Sequence, residues 1–196
     1  MRWLLVSAVV VGYVIGAVSP ATWIASRRGV DLRGVGSGNP GASNAGRALG
    51  RRTGVLVALL DVAKGAVPAA AFGALDHEAG LLAGIAAVLG HVTSPYLRGR
   101  GGKGVATAAG AILGSHPLWA VVVLASWALV FGVSRWIALA SMSASLVLVA
   151  VSFVVGTDVL WAAAIAAIVL IRHRDNVVRR ISARKAPPGE EEARPA

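Results

Sequence analysis

A chain of 196 residues that is 56% hydrophobic, with a mean hydropathy of +0.71, is too apolar for an ordinary soluble domain. Only 14% of residues are charged, yet the net charge is +10, and the cations sit in short segments between apolar runs. That pattern points to a membrane surface rather than to nucleic acid, and the absence of cysteine excludes a disulfide framework or a thiolate metal site.

A helix needs about 20 apolar residues to cross the hydrocarbon core. Residues 3–25 meet this; Arg2 precedes them as in a signal peptide, but no small-residue cleavage site follows, so the segment reads as a retained span. Further apolar segments follow at 53–75, 79–96, 105–115, 117–133, 136–155 and 159–171. The fourth and seventh are short for full crossings, and the fourth can also be a half-span buried in protein. With seven crossings, Arg27, Arg28, Arg33, Arg47, Arg51, Arg52, Arg98, Arg100, Lys103, Arg135 and the arginines after residue 171 all fall on one side. Asp76, His77, Glu78, His116 and Asp158 fall on the other, where Arg2 is the one cation. The sequence therefore predicts an all-α polytopic membrane protein of seven transmembrane helices, N-terminus outside and C-terminus cytoplasmic. Residues 1–185 read as one membrane domain, and 186–196, with three prolines and three consecutive glutamates, as a flexible cytoplasmic tail.

Two glycine-rich cationic loops interrupt this pattern: residues 36–47, reading GSGNPGASNAGR, and residues 99–107, reading GRGGKGVAT. Each contains G-x-G-x-x-G, but each follows an apolar helix rather than a strand, which argues against a dinucleotide site. The second loop is not a Walker A loop, because Leu97 stands at its first glycine position and Gly104 follows the lysine. What remains is an anion-binding loop, with glycine amides and cations around phosphate, set against the plainer reading of a flexible interfacial turn. Lys103 is flanked by glycines, so backbone and ammonium can approach a substrate together; Arg47 offers a bidentate fork.

Asp61 and Lys64 share one helix face inside the second span, where an ion pair that fixes packing is favoured over catalysis. His91 either orients the second loop or satisfies a backbone carbonyl. His173 and Asn176 stand three apart, so both can face one site if the last helix continues. His77 and His116 read as incidental, and no His/Asp/Glu group has metal-ligand spacing in sequence. There is no G-x-S-x-G elbow, which disfavours a Ser-His-Asp hydrolase.

Taken together, Gly36-Ser37-Gly38-Asn39-Pro40-Gly41-Ala42-Ser43-Asn44, Arg47, Asp61-x-x-Lys64-Gly65, Gly90-His91, Gly101-Gly102-Lys103-Gly104-Val105-Ala106-Thr107 and His173-x-x-Asn176 resemble the bacterial acyl-phosphate-dependent glycerol-3-phosphate 1-acyltransferases, the PlsY family. The match covers residues from about 3 to 180. Ser43 stands where the family has Thr, Thr93-Ser94 where it has Phe-Pro, and Gly99 where it favours Phe. The resemblance implies acyl transfer from acyl phosphate to the 1-hydroxyl of glycerol 3-phosphate, giving lysophosphatidic acid and phosphate for phospholipid synthesis. It implies no metal, no cofactor, no nucleic acid and no obligate protein partner, in the inner membrane with the site facing the cytoplasm. It assigns catalytic roles to Ser37, Arg47, Lys103, His173 and Asn176, and substrate binding to Gly36, Gly38, Asn39, Asn44, Gly101, Gly102, Gly104 and Thr107. The proton acceptor stays open between a substrate phosphate oxygen and His173. A transporter for a small anionic solute is the alternative; a purely structural subunit leaves both loops unexplained.

Overall fold

The computed structural model describes residues 1–185; the predicted tail at 186–196 lies outside the described residues. The fold is all-helical, with no strand among the described residues. Its helices are α1 (Arg2–Ala17), α2 (Pro20–Ser26), α3 (Ala42–Leu49), α4 (Arg51–Gly73), α5 (His77–Thr93), α6 (Val105–Ser115), α7 (Pro117–Ser134), α8 (Ile137–Val155) and α9 (Val159–Lys185), with single 3₁₀ turns at Leu32–Gly34 and Pro95–Leu97. Five stretches are long and apolar enough to cross a membrane: Arg2–Ser26, Arg51–Gly73, His77–Leu97, Pro117–Ser134 and Ile137–Val155. The other two predicted crossings differ from these. At 11 residues, α6 is about 16 Å long. The apolar part of α9 ends at Ile171, but the helix runs on to Lys185 as an arginine-rich rod. The segment predicted to follow the last helix is therefore part of it.

The first predicted span is broken. Pro20 disfavours helical geometry at Ser19, which adopts an extended conformation and caps α2 by accepting the Thr22 N–H at 3.3 Å. The break frees carbonyls that lipid cannot satisfy. Ser94 Oγ donates to Ala17 O at 2.6 Å, and Lys64 Nζ donates to Val18 O at 2.8 Å. Lys64 is also paired with Asp61 at 2.9 Å, so the buried charges on α4 hold the α1–α2 corner in place. Thr93 and Ser94, the positions that depart from the family pattern, both reach α1: Thr93 shares a 3.1 Å hydrogen bond with Tyr13.

Small residues set the helix spacing, as expected where lipid gives no hydrophobic drive to association. A methyl at Gly12 or Gly16 would overlap the Ala83 or Ala87 carbonyl of α5, and one at Gly110 or Gly114 would overlap the Val62 or Ala66 carbonyl of α4. These tight pairs, α1 with α5 and α4 with α6, make the closest helix approaches in the bundle. Leu81, Val88, Ile112, Trp119, Leu148, Trp161 and Ile165 pack where α5 to α9 meet. The outer face of α7 leaves Leu118, Val121, Leu124, Leu129 and Val133 exposed, which suits lipid.

Candidate active site

The first glycine loop is held by a buried amide from the helix after it. Asn44 Nδ2 donates to Leu32 O at 2.9 Å, and its Oδ1 accepts the Ser37 N–H at 3.3 Å. Gly36 sits at φ +55°, and a Cβ there would come within 2.7 Å of Asn44 Oδ1 and 3.5 Å of Arg47 Nη1, so glycine lets α3 close against the loop.

The second loop folds back over the end of α5. The Gly101 and Gly102 amides donate to the Val92 and His91 carbonyls at 3.0 and 3.1 Å. The carbonyls of the same glycines accept from Arg172 on α9: Nη2 to Gly101 O at 2.9 Å and Nε to Gly102 O at 3.3 Å. A Cβ on Gly101 would overlap the His91 carbonyl, and one on Gly102 would overlap the His91 ring. His91 is thus the floor of the loop, and its Nδ1 lies 3.5 Å from Asp61. Gly104, at φ +80°, starts α6.

Between the loops and α9 lies a cleft of about 330 Å³. The first loop contributes Ser37, Gly38, Asn39 and Pro40; the second contributes Arg100, Gly101 and Lys103; α9 contributes Ile171, Arg172, Arg174, Asp175, Asn176 and Arg179. Five cations thus face one carboxylate, and Arg174 already pairs with that Asp175 at 3.3 Å. Asn176 presents a buried Oδ1 with no hydrogen-bond partner.

Of the residues expected from sequence, Ser37, Gly38, Asn39, Gly101, Lys103 and Asn176 meet in this cleft. Gly36, Asn44, Gly102, Gly104 and Thr107 stand behind it. Thr107 is fully buried. His173 is buried beneath the wall, 2.7 Å from Val169 O through Nδ1, and does not line the cleft with Asn176. Arg47 flanks the first loop from α3.

The expected cradle of glycine amides needs correction. The N–H groups of Gly38, Gly41, Gly101 and Gly102 are engaged by backbone carbonyls, and that of Ser37 by Asn44, so these five fix the loops. Among the described residues of the two loops, the N–H groups of Gly36, Asn39, Lys103 and Gly104 have no backbone acceptor.

The comparisons with known proteins agree on one group. The profile of the family described as glycerol-3-phosphate acyltransferase matches residues 6–183. The chain belongs to this family. The glycerol-3-phosphate acyltransferase of Aquifex aeolicus (strain VF5) is 39% identical over 184 residues, covering 90% of this chain and 95% of that one. That of Geotalea daltonii is 38% identical, covering 85% and 89%. The crystal structure of PlsY, an integral membrane glycerol 3-phosphate acyltransferase in its glycerol 3-phosphate form, superposes with a TM-score of 0.88 at 36% identity, covering 96% of this chain and 98% of that chain. Its lysophosphatidic acid form gives 0.85 at 35%, covering 92% and 93%.

In this acyltransferase, sequence reasoning missed Arg172 and Arg179, which it took as markers of the cytoplasmic side. Continuing the helix past residue 171 would have found them, since 172, 175, 176 and 179 follow the i, i+3, i+4, i+7 pattern of one face. Their effect falls on Lys103. Burial, then the positive charges of Arg179, Arg172 and Arg47, pull its pKa down to about 8 against the opposing pull of Asp175. His173 is likewise held below the usual histidine range, first by burial, with the Val169 carbonyl opposing and the Lys103 and Arg172 charges adding to it.

Proposed function

We propose that the chain, acting as a single unit over residues 1–185, transfers a fatty acyl group from acyl phosphate to the 1-hydroxyl of glycerol 3-phosphate, releasing lysophosphatidic acid and phosphate. The carrying observation is the cleft between the two loops and α9, in which five cations from the second loop and α9 face one carboxylate. Both substrates bring phosphate, and family membership supplies the acyl chemistry. Solved relatives described as glycerol 3-phosphate and lysophosphatidic acid forms accord with this acceptor and product. A solute carrier is disfavoured, because family and fold are those of an acyltransferase.

Lys103, with Arg172 and Arg179, holds the phosphates as charge-assisted donors. Arg47 supports the first loop from the side, and Ser37 and Asn39 donate to phosphate or to the developing oxyanion. Asn176 Oδ1, buried and unpartnered, accepts from an acceptor hydroxyl and orients it. The 1-hydroxyl oxygen forms the new ester bond to the acyl carbon as the bond from that carbon to phosphate oxygen breaks. The hydroxyl proton leaves with the departing phosphate. His173, buried and bonded through Nδ1 to Val169, positions the wall instead of taking the proton. The seven-span arrangement with the cleft on the cytoplasmic side of the inner membrane brings the greasy donor from lipid and the polar acceptor from water.

Purified protein in detergent with acyl phosphate and glycerol 3-phosphate should release phosphate only when both are present. A charge-assisted hydrogen bond is worth about 1.5–3 kcal/mol, so Lys103→Ala should lower kcat/KM on the order of 10- to 100-fold. Arg28→Ala, whose guanidinium bonds Thr53 away from the cleft, should be nearly silent. Acceptor-independent phosphate release at the full rate would overturn the assignment.

A further inference from the structure

At the end of the bundle away from the cleft, three side chains from three connections converge. His77 opens α5, His116 is the single residue between α6 and α7, and Asp158 immediately precedes α9. His77 Nε2 and His116 Nε2 lie 3.0 and 2.9 Å from the same oxygen, Oδ2 of Asp158, across 81 and 42 residues of sequence. All three ligating atoms lie within 4.8 Å of one another. Arg172, in the cleft, is on the same helix as this end but about 20 Å along it, at 1.5 Å per residue. The acyl-transfer chemistry uses none of these groups, and their separation in the chain hid the cluster from sequence spacing.

The arrangement is built rather than casual. His116 stacks on Trp119, with ring centroids 4.0 Å apart, and Trp161 lies 5.4 Å away. Trp161 is itself fixed by donating Nε1–H to Leu81 O at 2.9 Å. Asp158 is held at φ +53°, an unusual conformation for a residue with a side chain. The side chains of His116 and Asp158 are only 11% and 13% exposed, while that of His77 is 62% exposed, so one side of the cluster opens to solvent.

Two imidazoles directed at one carboxylate oxygen exceed what a simple hydrogen-bonded clasp requires. Nδ1 of His116 is buried without a partner, so nothing on the far side of that ring fixes the proton on Nε2. A shift of the proton to Nδ1 frees the Nε2 lone pair. Zinc bonds of 2.0–2.2 Å in tetrahedral geometry place ligand atoms about 3.3 Å apart. The present nitrogen–oxygen separations need to widen by only a few tenths of an ångström to match, and the two nitrogens, already within 4.8 Å, need to settle at the same spacing. Two nitrogens and one carboxylate suit zinc-class ions, whereas magnesium and calcium prefer all-oxygen shells.

We propose that His77, His116 and Asp158 form a binding site for a divalent transition-metal ion of the zinc class, with a fourth position open to water on the His77 side. Such an ion would clamp the α4–α5, α6–α7 and α8–α9 connections together and so stabilise the folded bundle.

The test uses the full-length, tag-free protein in detergent after chelator treatment, titrated calorimetrically with Zn²⁺ and with Mg²⁺ as control, with the thermal unfolding midpoint followed alongside. The background is low, because the chain has no cysteine and its other two histidines, His91 and His173, are buried. One Zn²⁺ per chain is expected, Mg²⁺ should not bind, and Zn²⁺ should raise the midpoint. Loss of an outer-sphere partner commonly weakens metal binding 10- to 100-fold, so His77→Ala, which removes a direct ligand at an exposed position, should weaken Zn²⁺ at least about 10-fold and abolish the midpoint shift. Asp158→Asn should do the same; should it not fold, His77→Ala decides alone. No Zn²⁺ binding by the unaltered protein would overturn the proposal and leave a hydrogen-bonded clasp. Zn²⁺ binding undiminished in His77→Ala would overturn it equally, by placing the ion elsewhere.

Discussion

The pH dependence of kcat/KM should report the charge on Lys103. Its pKa lies near 8 because the amine is partly buried and faces Arg179, Arg172 and Arg47. The sign follows directly: the ammonium is present below pH 8 and is lost as pH rises through it. The second ionisation of a phosphate monoester lies near 6, so above pH 7 the acceptor stays dianionic and does not add to the profile. If the charged form carries phosphate recognition, kcat/KM should be flat from pH 6.5 to 7, halve near 8, and at pH 9 fall about 10-fold, as expected of a free-enzyme group. In kcat the fall should lie at higher pH, because bound phosphate favours the ammonium. Initial phosphate release, corrected for spontaneous acyl phosphate hydrolysis, gives both profiles. Lys103→Arg keeps the charge at every accessible pH, so whatever activity it retains should show no alkaline fall. Arg179→Gln removes the largest of the three repulsions and should move the fall to higher pH. A flat profile to pH 9.5 in the unaltered enzyme, or an unchanged fall in Lys103→Arg, would refute the reasoning.

Gly101→Ala should keep its helical circular dichroism but lose on the order of 100-fold in activity, since the new methyl meets the His91 carbonyl and displaces the loop carrying Lys103. Gly34→Ala, where nothing lies within 4 Å and φ is ordinary, should be close to neutral in the same assay. Topology can be read from single cysteines in this cysteine-free chain: Cys at 77 should react with an impermeant thiol reagent added to intact cells, and Cys at 135 should not, the reverse pattern overturning the N-outside arrangement. Mass spectrometry after mixing the enzyme with acyl phosphate alone should find no acyl group on Ser37; a stoichiometric adduct discharged at the turnover rate would replace direct transfer with a two-step route.

The helices from α4 to α8 and both loops were legible because each is a local signal, whereas the break at Ser19 and the run of α9 past Ile171 were not. Apolar runs bounded by Arg, Gly and Pro gave α4 to α8 to within three residues at either end, and the glycine spacing marked the two loops that wall the cleft opposite α9. What stayed hidden depends on distance in the chain. The Gly101 and Gly102 amides look free to bind an anion in sequence, yet the end of α5 claims them, because buried carbonyls at a helix terminus need donors. Asp61 and Lys64 read correctly as a pair, but the pair's partner, the Val18 carbonyl freed by Pro20, lies 46 residues away. Arg172 and Arg179 were hidden by hydropathy, which ends the membrane segment at Ile171 while the helix itself continues through the site.

That continuation gives the cleft its electrostatic character. Arg172 cannot leave, because its guanidinium is committed to two loop carbonyls, and Lys103 is tethered by the same loop. The two cations are therefore held together by backbone geometry against their mutual repulsion, which adds to burial and to the charge of Arg179 in lowering the lysine pKa. On the proposed function, a dianionic substrate phosphate would supply the missing counter-charge, so part of its binding energy would come from relieving that repulsion rather than from new contacts alone. An activated acyl donor asks little more of the protein than alignment and charge neutralisation. On that proposal, a cleft this rich in cations would supply both. Weakening the tether while keeping the charge separates the two effects: Arg172→Lys preserves the positive potential but loses the paired hydrogen bonds to Gly101 and Gly102, so it should lower kcat more than it raises KM for glycerol 3-phosphate. A change confined to KM would mean that Arg172 serves binding alone and that the loop is held without it.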